Sequence, residues 1–115
     1  MSKKIKWYRI AEDPDSLPFS ENNIVVVECG GKTICIGRHD QQIFGFAYKC
    51  PHASGILANG YIDPIGNIVC PLHRYKFNIG NGRNTSGQGY HMKTYPVEIR
   101  PDGVYAGIEE GFSLW

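Results

Sequence analysis

Two short pairs of metal-ligand residues, Cys50-Pro51-His52 and Cys70-Pro71-Leu72-His73, lie seventeen residues apart, and they constrain the fold more than any other feature of the chain. Each pair offers one thiolate and one imidazole. Bringing both pairs to one centre requires facing loops on rigid supports, because metal geometry tolerates little drift. A zinc site of two Cys and two His is one reading, although zinc modules usually group Cys with Cys and His with His. One of each per loop suits a centre with two unlike metals. If the two thiolates hold one iron and the two imidazoles another, bridging sulfides complete a [2Fe–2S] cluster. Such a cluster is formally neutral when oxidised and singly negative when reduced, so it takes up an electron more readily than a four-cysteine cluster does.

The segments around these pairs read as strands. Residues 5–10, 24–29, 32–37 and 42–48 are β-branched and aromatic runs, the composition that fits a pleated, half-buried surface. Pro14 and Pro18 make the connection after the first run a loop. Gly30-Gly31 and residues 38–41 divide the next three runs into a meander. No segment keeps apolar spacing of three and four over a helix length, so the class is all-β, with one helical turn allowed within 53–59. Short strands at 61–63, 67–70 and 76–78 bracket the ligand loops, with residues 63–66 turning between the first two. After a glycine-rich connection over 80–89, residues 93–100 and 103–108 are expected to form a hairpin across Pro101-Asp102-Gly103 that returns to the opening sheet.

Composition excludes several functions. The 115 residues carry a net charge of +1, which gives no reason to expect nucleic acid or general membrane attraction. There is no apolar run of signal-peptide or membrane-spanning length, so the chain is read as soluble and cytoplasmic, a single domain too short for an added catalytic one. The glycine-rich stretch lacks the Gly-Lys-Ser/Thr ending and following helix of a phosphate loop. If Gly30-Gly31 is the turn, Val26 faces Cys35 and Val27 faces Ile34. Cys29 and Cys35 then fall on opposite faces, which argues against a disulfide. His39, read as a solvated turn residue, and His91 lie outside the ligand spacing and are read as non-ligands.

The ligand pairs and their surroundings, Cys-Pro-His-Ala-Ser-Gly, Gly60-Tyr61, Cys-Pro-Leu-His-Arg-Tyr-Lys-Phe and Tyr95-Pro96-Val97, resemble the Rieske iron–sulfur proteins, above all the ferredoxins and the N-terminal domains of ring-hydroxylating oxygenases. The resemblance implies a small antiparallel β-sandwich or partial barrel over 1–115 with an inserted cluster-binding subdomain over about 48–80. It implies one [2Fe–2S] cluster, with Cys50 and Cys70 on one iron and His52 and His73 on the other. Ser54, Gly55 and Tyr75 would line it, together with amides of the ligand histidines, and the stretch 80–89 would cover it. Many relatives carry a proline in that cover; this chain has none between Pro71 and Pro96, so a looser cover is expected.

The implied function is one-electron transfer from a reductase, flavin-dependent in the family's manner, to a terminal oxygenase, without a substrate site in this chain. A nitrite-reductase-like small subunit, which often lacks the ligands, and a zinc-stabilised binding module are the alternatives. High-potential relatives carry an extra cysteine in each loop, aligning with Gly55 and Leu72, and a Ser and a Tyr aligning with Tyr75 and Phe77. None of the four is matched here, which implies a low-potential member. Lys49, Arg74, Lys76, Arg83 and Lys93 stand against Asp63 alone between residues 49 and 93, so the cluster end is expected to be basic.

Overall fold

The computed structural model describes residues 4–51, 55–86 and 90–110. Among them, ten strands follow in order: β1 (Lys4–Ala11), β2 (Ile24–Cys29), β3 (Lys32–His39), β4 (Gln42–Ala47), β5 (Tyr61–Ile62), β6 (Asn67–Val69), β7 (Lys76–Asn78), β8 (Thr94–Tyr95), β9 (Val97–Arg100) and β10 (Gly103–Glu110). They form three antiparallel sheets, ordered β1-β10-β9, β2-β3-β4-β8 and β5-β6-β7. Among the described residues, helical structure is limited to two single 3-10 turns, Pro14–Ser16 and Leu57–Asn59. No helix of the described residues is long and apolar enough to cross a membrane.

The meander sheet is the middle layer. Ile34 and Ile36 of β3 pack with Ala106 and Ile108 of β10, whereas Cys35 and Phe46 join Leu57, Ile68, Phe77 and Met92 on the other face. A strand buried on both sides needs a continuous apolar run rather than alternation, and Ile34-Cys35-Ile36 supplies it. The expected register holds, with Val26 opposite Cys35 and Val27 opposite Ile34. Cys29 and Cys35 consequently lie in separate cores and are both free. Burial pushes the Cys35 thiol up to about 12; burial, and then the neighbouring Glu28 carboxylate, raise Cys29 as well. Both therefore remain protonated and inert.

Two tight turns set the meander. Gly30 and Gly31 have φ of 61° and 75°, and Asp40 and Gln41 have 51° and 65°, the left-handed pair that matches strand twist in a two-residue hairpin. His39 accordingly ends β3 opposite Gln42 rather than sitting in a solvated turn. Its side chain is only 20% exposed, with Nε2 3.4 Å from the Asp40 carboxylate.

The stretch expected as one strand over 93–100 is divided at Pro96. β8 pairs with β4 in the middle sheet, and β9 pairs with β10 in the outer one. Proline has no N–H for a ladder, and the Pro96 carbonyl accepts from the Gly107 amide at 2.8 Å as the chain changes sheets. Gly45 makes this crossing possible, because a Cβ there would stand 2.7 Å from the Tyr95 carbonyl oxygen. The following turn falls where expected: Arg100 pairs with Gly103, leaving Pro101 and Asp102 between them. The hairpin does return to β1, but these strands form their own sheet apart from the meander.

The β5–β6 turn is built by Asp63. Its carboxylate accepts from the Ile65 and Asn67 amides at 3.1 and 2.9 Å and from Asn67 Nδ2 at 3.2 Å. Burial alone would raise its pKa, but these hydrogen bonds outweigh burial and hold it below the usual carboxylate range. Removing the acceptor in Asp63→Ala strands buried donors and is expected to cost about 1–3 kcal/mol. Because the folded-state value is depressed, the stabilisation is complete above the unfolded value near ~3.9 and is lost as pH falls through the folded one. Denaturant titrations of the wild type and Asp63→Asn should show a stability gap at neutral pH that closes in acid. A gap independent of pH would contradict this account of the turn.

Candidate metal centre

The two ligand loops have the same closure. In the first, the Cys50 amide donates to the Gly55 carbonyl at 2.8 Å; in the second, the Cys70 amide donates to the Tyr75 carbonyl at 2.8 Å. Each bond joins residues five apart, so both loops leave a strand, turn, and return at their own base. The base of the first is continued by a Lys49–Ile56 bridge and by the Leu57 amide on the Tyr48 carbonyl. The second is set between β6 and β7, which pair in register. His73 and Arg74 have φ of 61° and 56°, a conformation that costs non-glycine residues of order 1–3 kcal/mol each and persists only where the surroundings enforce it.

The loops meet at Gly55. A Cβ there would lie 2.9 Å from Cys70 Sγ and 3.3 Å from Leu72 Cδ1, so the bare α-carbon lets the first loop approach the sulfur of the second. Cys50 is 4% exposed and Cys70 fully buried; both belong to one core cluster with Leu57, Phe77 and Met92. His73 is exposed at the tip. Its ring centroid is 6.2 Å from that of Tyr75, which is half-buried and 5.9 Å from Tyr90. His52 and Ser54 lie outside the described residues.

Two thiols buried in one cluster, a glycine opened toward a sulfur and an imidazole at the rim fit a thiolate- and imidazole-bound centre. Among the described residues, no three His, Cys, Asp or Glu side chains gather closely enough to hold a metal ion by themselves. His91 is exposed and bridges Arg83 through the backbone.

Three supporting contacts had no signal in the ligand spacing. Asn22, half-buried, donates from Nδ2 to the Ala58 and Gly60 carbonyls at 2.9 and 3.0 Å, while its Oδ1 accepts from the Ile24 amide at 3.2 Å. It thereby ties the exit of the first loop to the start of β2. Residues 83–86 of the glycine-rich stretch are tied to β7, and 87–89 lie outside the described residues: the Asn78 amide donates to Arg83, the Thr85 amide to Lys76, and the Lys76 amide to Ser86 Oγ at 3.1 Å. Gly82, with φ of 78°, is pressed against the Met92 carbonyl where a Cβ would collide. Tyr90 then meets Tyr75 beside the second ligand loop. An Asn before a strand, a Ser among glycines and an isolated Tyr are too common to single out by pattern.

Lys49, Arg74, Lys76 and Arg83 are exposed around the loops. Of the cations counted at this end, Lys93 is paired with Glu109 at 3.4 Å. Asp63 is buried in its turn and adds little to the surface.

Comparison with known proteins agrees with this geometry. Residues 6–96 match the family model for the Rieske [2Fe-2S] domain. The ferredoxin component of the naphthalene 1,2-dioxygenase system of Pseudomonas putida is 28% identical over 96 residues, spanning 83% of this chain and 88% of that protein. A chain from the complex of reduced oxygenase and oxidised ferredoxin in carbazole 1,9a-dioxygenase superposes with a TM-score of 0.74 at 23% identity, over 93% of this chain and 97% of that one. A Mycobacterium tuberculosis chain described as an NADH-dependent nitrite reductase small subunit gives 0.77 at 17% identity, over 91% and 96%. A match over most of the sequence, on loops that bring Cys50 and Cys70 into one core, means that the chain belongs to the Rieske [2Fe–2S] family.

Proposed function

We propose that the chain is a Rieske-type [2Fe–2S] ferredoxin, one domain over 1–115 with its cluster-binding subdomain over about 48–80. In this reading it carries one electron from a flavin-dependent reductase to a terminal oxygenase in the cytoplasm. The observation that carries the proposal is the pair of identically closed loops meeting where Gly55 faces Cys70 Sγ. Cys50 and Cys70 would hold one iron, and His52 and His73 the other. When bound, the cluster supplies a site that stores and releases a single electron.

The chain's own contribution is to exclude water, hold the ligands and tune the charge change. Burial of Cys50 and Cys70 keeps solvent from the sulfur side, while exposed His73 gives the centre an edge at the surface. Amides of Ser54, Gly55 and Tyr75 would donate to sulfur and stabilise the added electron. Phe77, fully buried in the same core cluster as both cysteines, has no hydroxyl to add to that set. A low potential follows, near the lower end of the Rieske span of about −150 to +300 mV.

The ferredoxin and oxygenase named together in the carbazole 1,9a-dioxygenase complex support an oxygenase as the electron's destination. Exposed Lys49, Arg74 and Lys76 beside the loops favour partners with acidic docking surfaces. The nitrite-reductase-subunit likeness rests on fold, and retention of all four ligand residues favours the electron carrier.

Absorption spectra with iron and sulfide analysis test the cofactor: one cluster per chain is expected, and a colourless zinc protein would refute the proposal. His52→Ala or His73→Ala should lose or destabilise the cluster; either variant retaining a full, spectrally unchanged one would remove that histidine from the ligand set. In film voltammetry the wild-type potential should lie below zero, and Phe77→Tyr should raise it through a new donor to sulfur. A wild-type value well above zero would contradict the tuning argument. Arg74→Gln with Lys76→Gln should slow second-order reduction by the reductase and flatten its salt dependence. Unchanged rate and slope would remove these charges from docking.

A further inference from the structure

We propose that Tyr90 is a positioning residue for His73, acting through the ring of Tyr75. The inference rests on His73 being a ligand, as argued above.

The second ligand loop needs support that its own sequence does not provide. His73 and Arg74 are consecutive non-glycine residues in the left-handed region, so the loop relaxes unless neighbouring groups oppose it. Its base is closed by the Cys70–Tyr75 backbone bond, and one flank is set by Leu72 against Gly55. The flank that carries His73 is bounded instead by Tyr75, whose ring lies 6.2 Å from the imidazole at an interplanar angle of 47°. Tyr75 is in turn met by Tyr90 at 5.9 Å and 30°. Both separations fall within the range of aromatic pairs.

Tyr90 is itself well placed to be a fixed wall. The residues that follow it are anchored: His91 bridges Arg83, and the Met92 amide donates to Gly82 at 2.8 Å, with the Met92 side chain fully buried. The Tyr90 side chain remains 45% exposed. A tyrosine this exposed contributes less to the core than to the residue it covers, so the ring serves the loop beside it. Through this stack the segment preceding β8 reaches the ring of His73.

The test compares Tyr90→Phe, Tyr90→Leu and Tyr90→Ala in the cluster-loaded protein, with His73→Ala as reference. Nitrogen hyperfine couplings of the two ligand histidines are read in the reduced state, iron release to a chelator is timed, and unfolding is followed by far-ultraviolet circular dichroism. Tyr90→Phe keeps the stack and should match the wild type. Tyr90→Leu and Tyr90→Ala should alter the coupling of one histidine and leave the other unchanged. Iron release should accelerate about tenfold, the scale of lost outer contacts at metal sites, with the unfolding midpoint little changed. If Tyr90→Ala does not load, Tyr90→Leu decides on the same couplings. Unaltered couplings in the Leu or Ala variant would overturn the proposal, as would a Tyr90→Phe protein as perturbed as Tyr90→Ala. Equal change at both histidines, or a matching fall in unfolding midpoint, would reduce Tyr90 to general packing and likewise overturn it. A cluster unaffected by His73→Ala would instead refute the ligand assignment.

Discussion

The approach of Gly55 to Cys70 Sγ is the contact on which the rest of the site depends. Any side chain at residue 55 would push the first loop off the sulfur of the second, and the two cysteines would no longer share one core. Both loops are short and closed at their bases by a single backbone bond of 2.8 Å, so they cannot absorb such a displacement internally. It would pass to the strands behind them. Rigidity therefore has to come from below the loops, from β6 and β7 on one side and from the Lys49–Ile56 bridge on the other.

That support is itself borrowed from the middle sheet. β3 contributes side chains to both cores, so the layer that packs against β1 and β10 is also the layer on which the ligand-bearing subdomain rests. Polar groups then fix the subdomain's edges. Asn22 ties the exit of the first loop to the start of β2 with three hydrogen bonds, and Asp63 organises the turn that feeds β6 and hence Cys70. Each satisfies buried or half-buried backbone groups that strand pairing leaves without a neighbour.

Strand positions, the Gly30-Gly31 hairpin and the opposite facing of Cys29 and Cys35 were legible because each follows from local pattern: period, turn residues and parity. The approach of the two cysteine loops was legible because two Cys and two His at that spacing have few uses. What could not be read was where the chain changes sheets. Nothing in residues 93–100 other than Pro96 distinguishes one strand from two, and the destination of each half depends on Gly45 and Gly107, remote in sequence. His39 was misplaced for a related reason, since its half-buried state comes from packing against Gly66. Asn22, Ser86 and Tyr90 were invisible because their roles exist only across long separations.

The pairing of β1 with β10 has a consequence for the order in which the structure can assemble. Lys4 lies opposite Glu110 and Ala11 opposite Val104, so this sheet closes a loop of nearly the whole described chain, at the highest entropic cost of any strand pairing among the described residues. The β2-β3-β4 meander requires only two-residue turns. During synthesis the meander can form while β10 is still unmade, and the ligand loops follow it directly. The surface of Ile34 and Ile36 then waits, uncovered, for a strand made last, which makes the interval before β10 arrives the period of greatest exposure to aggregation.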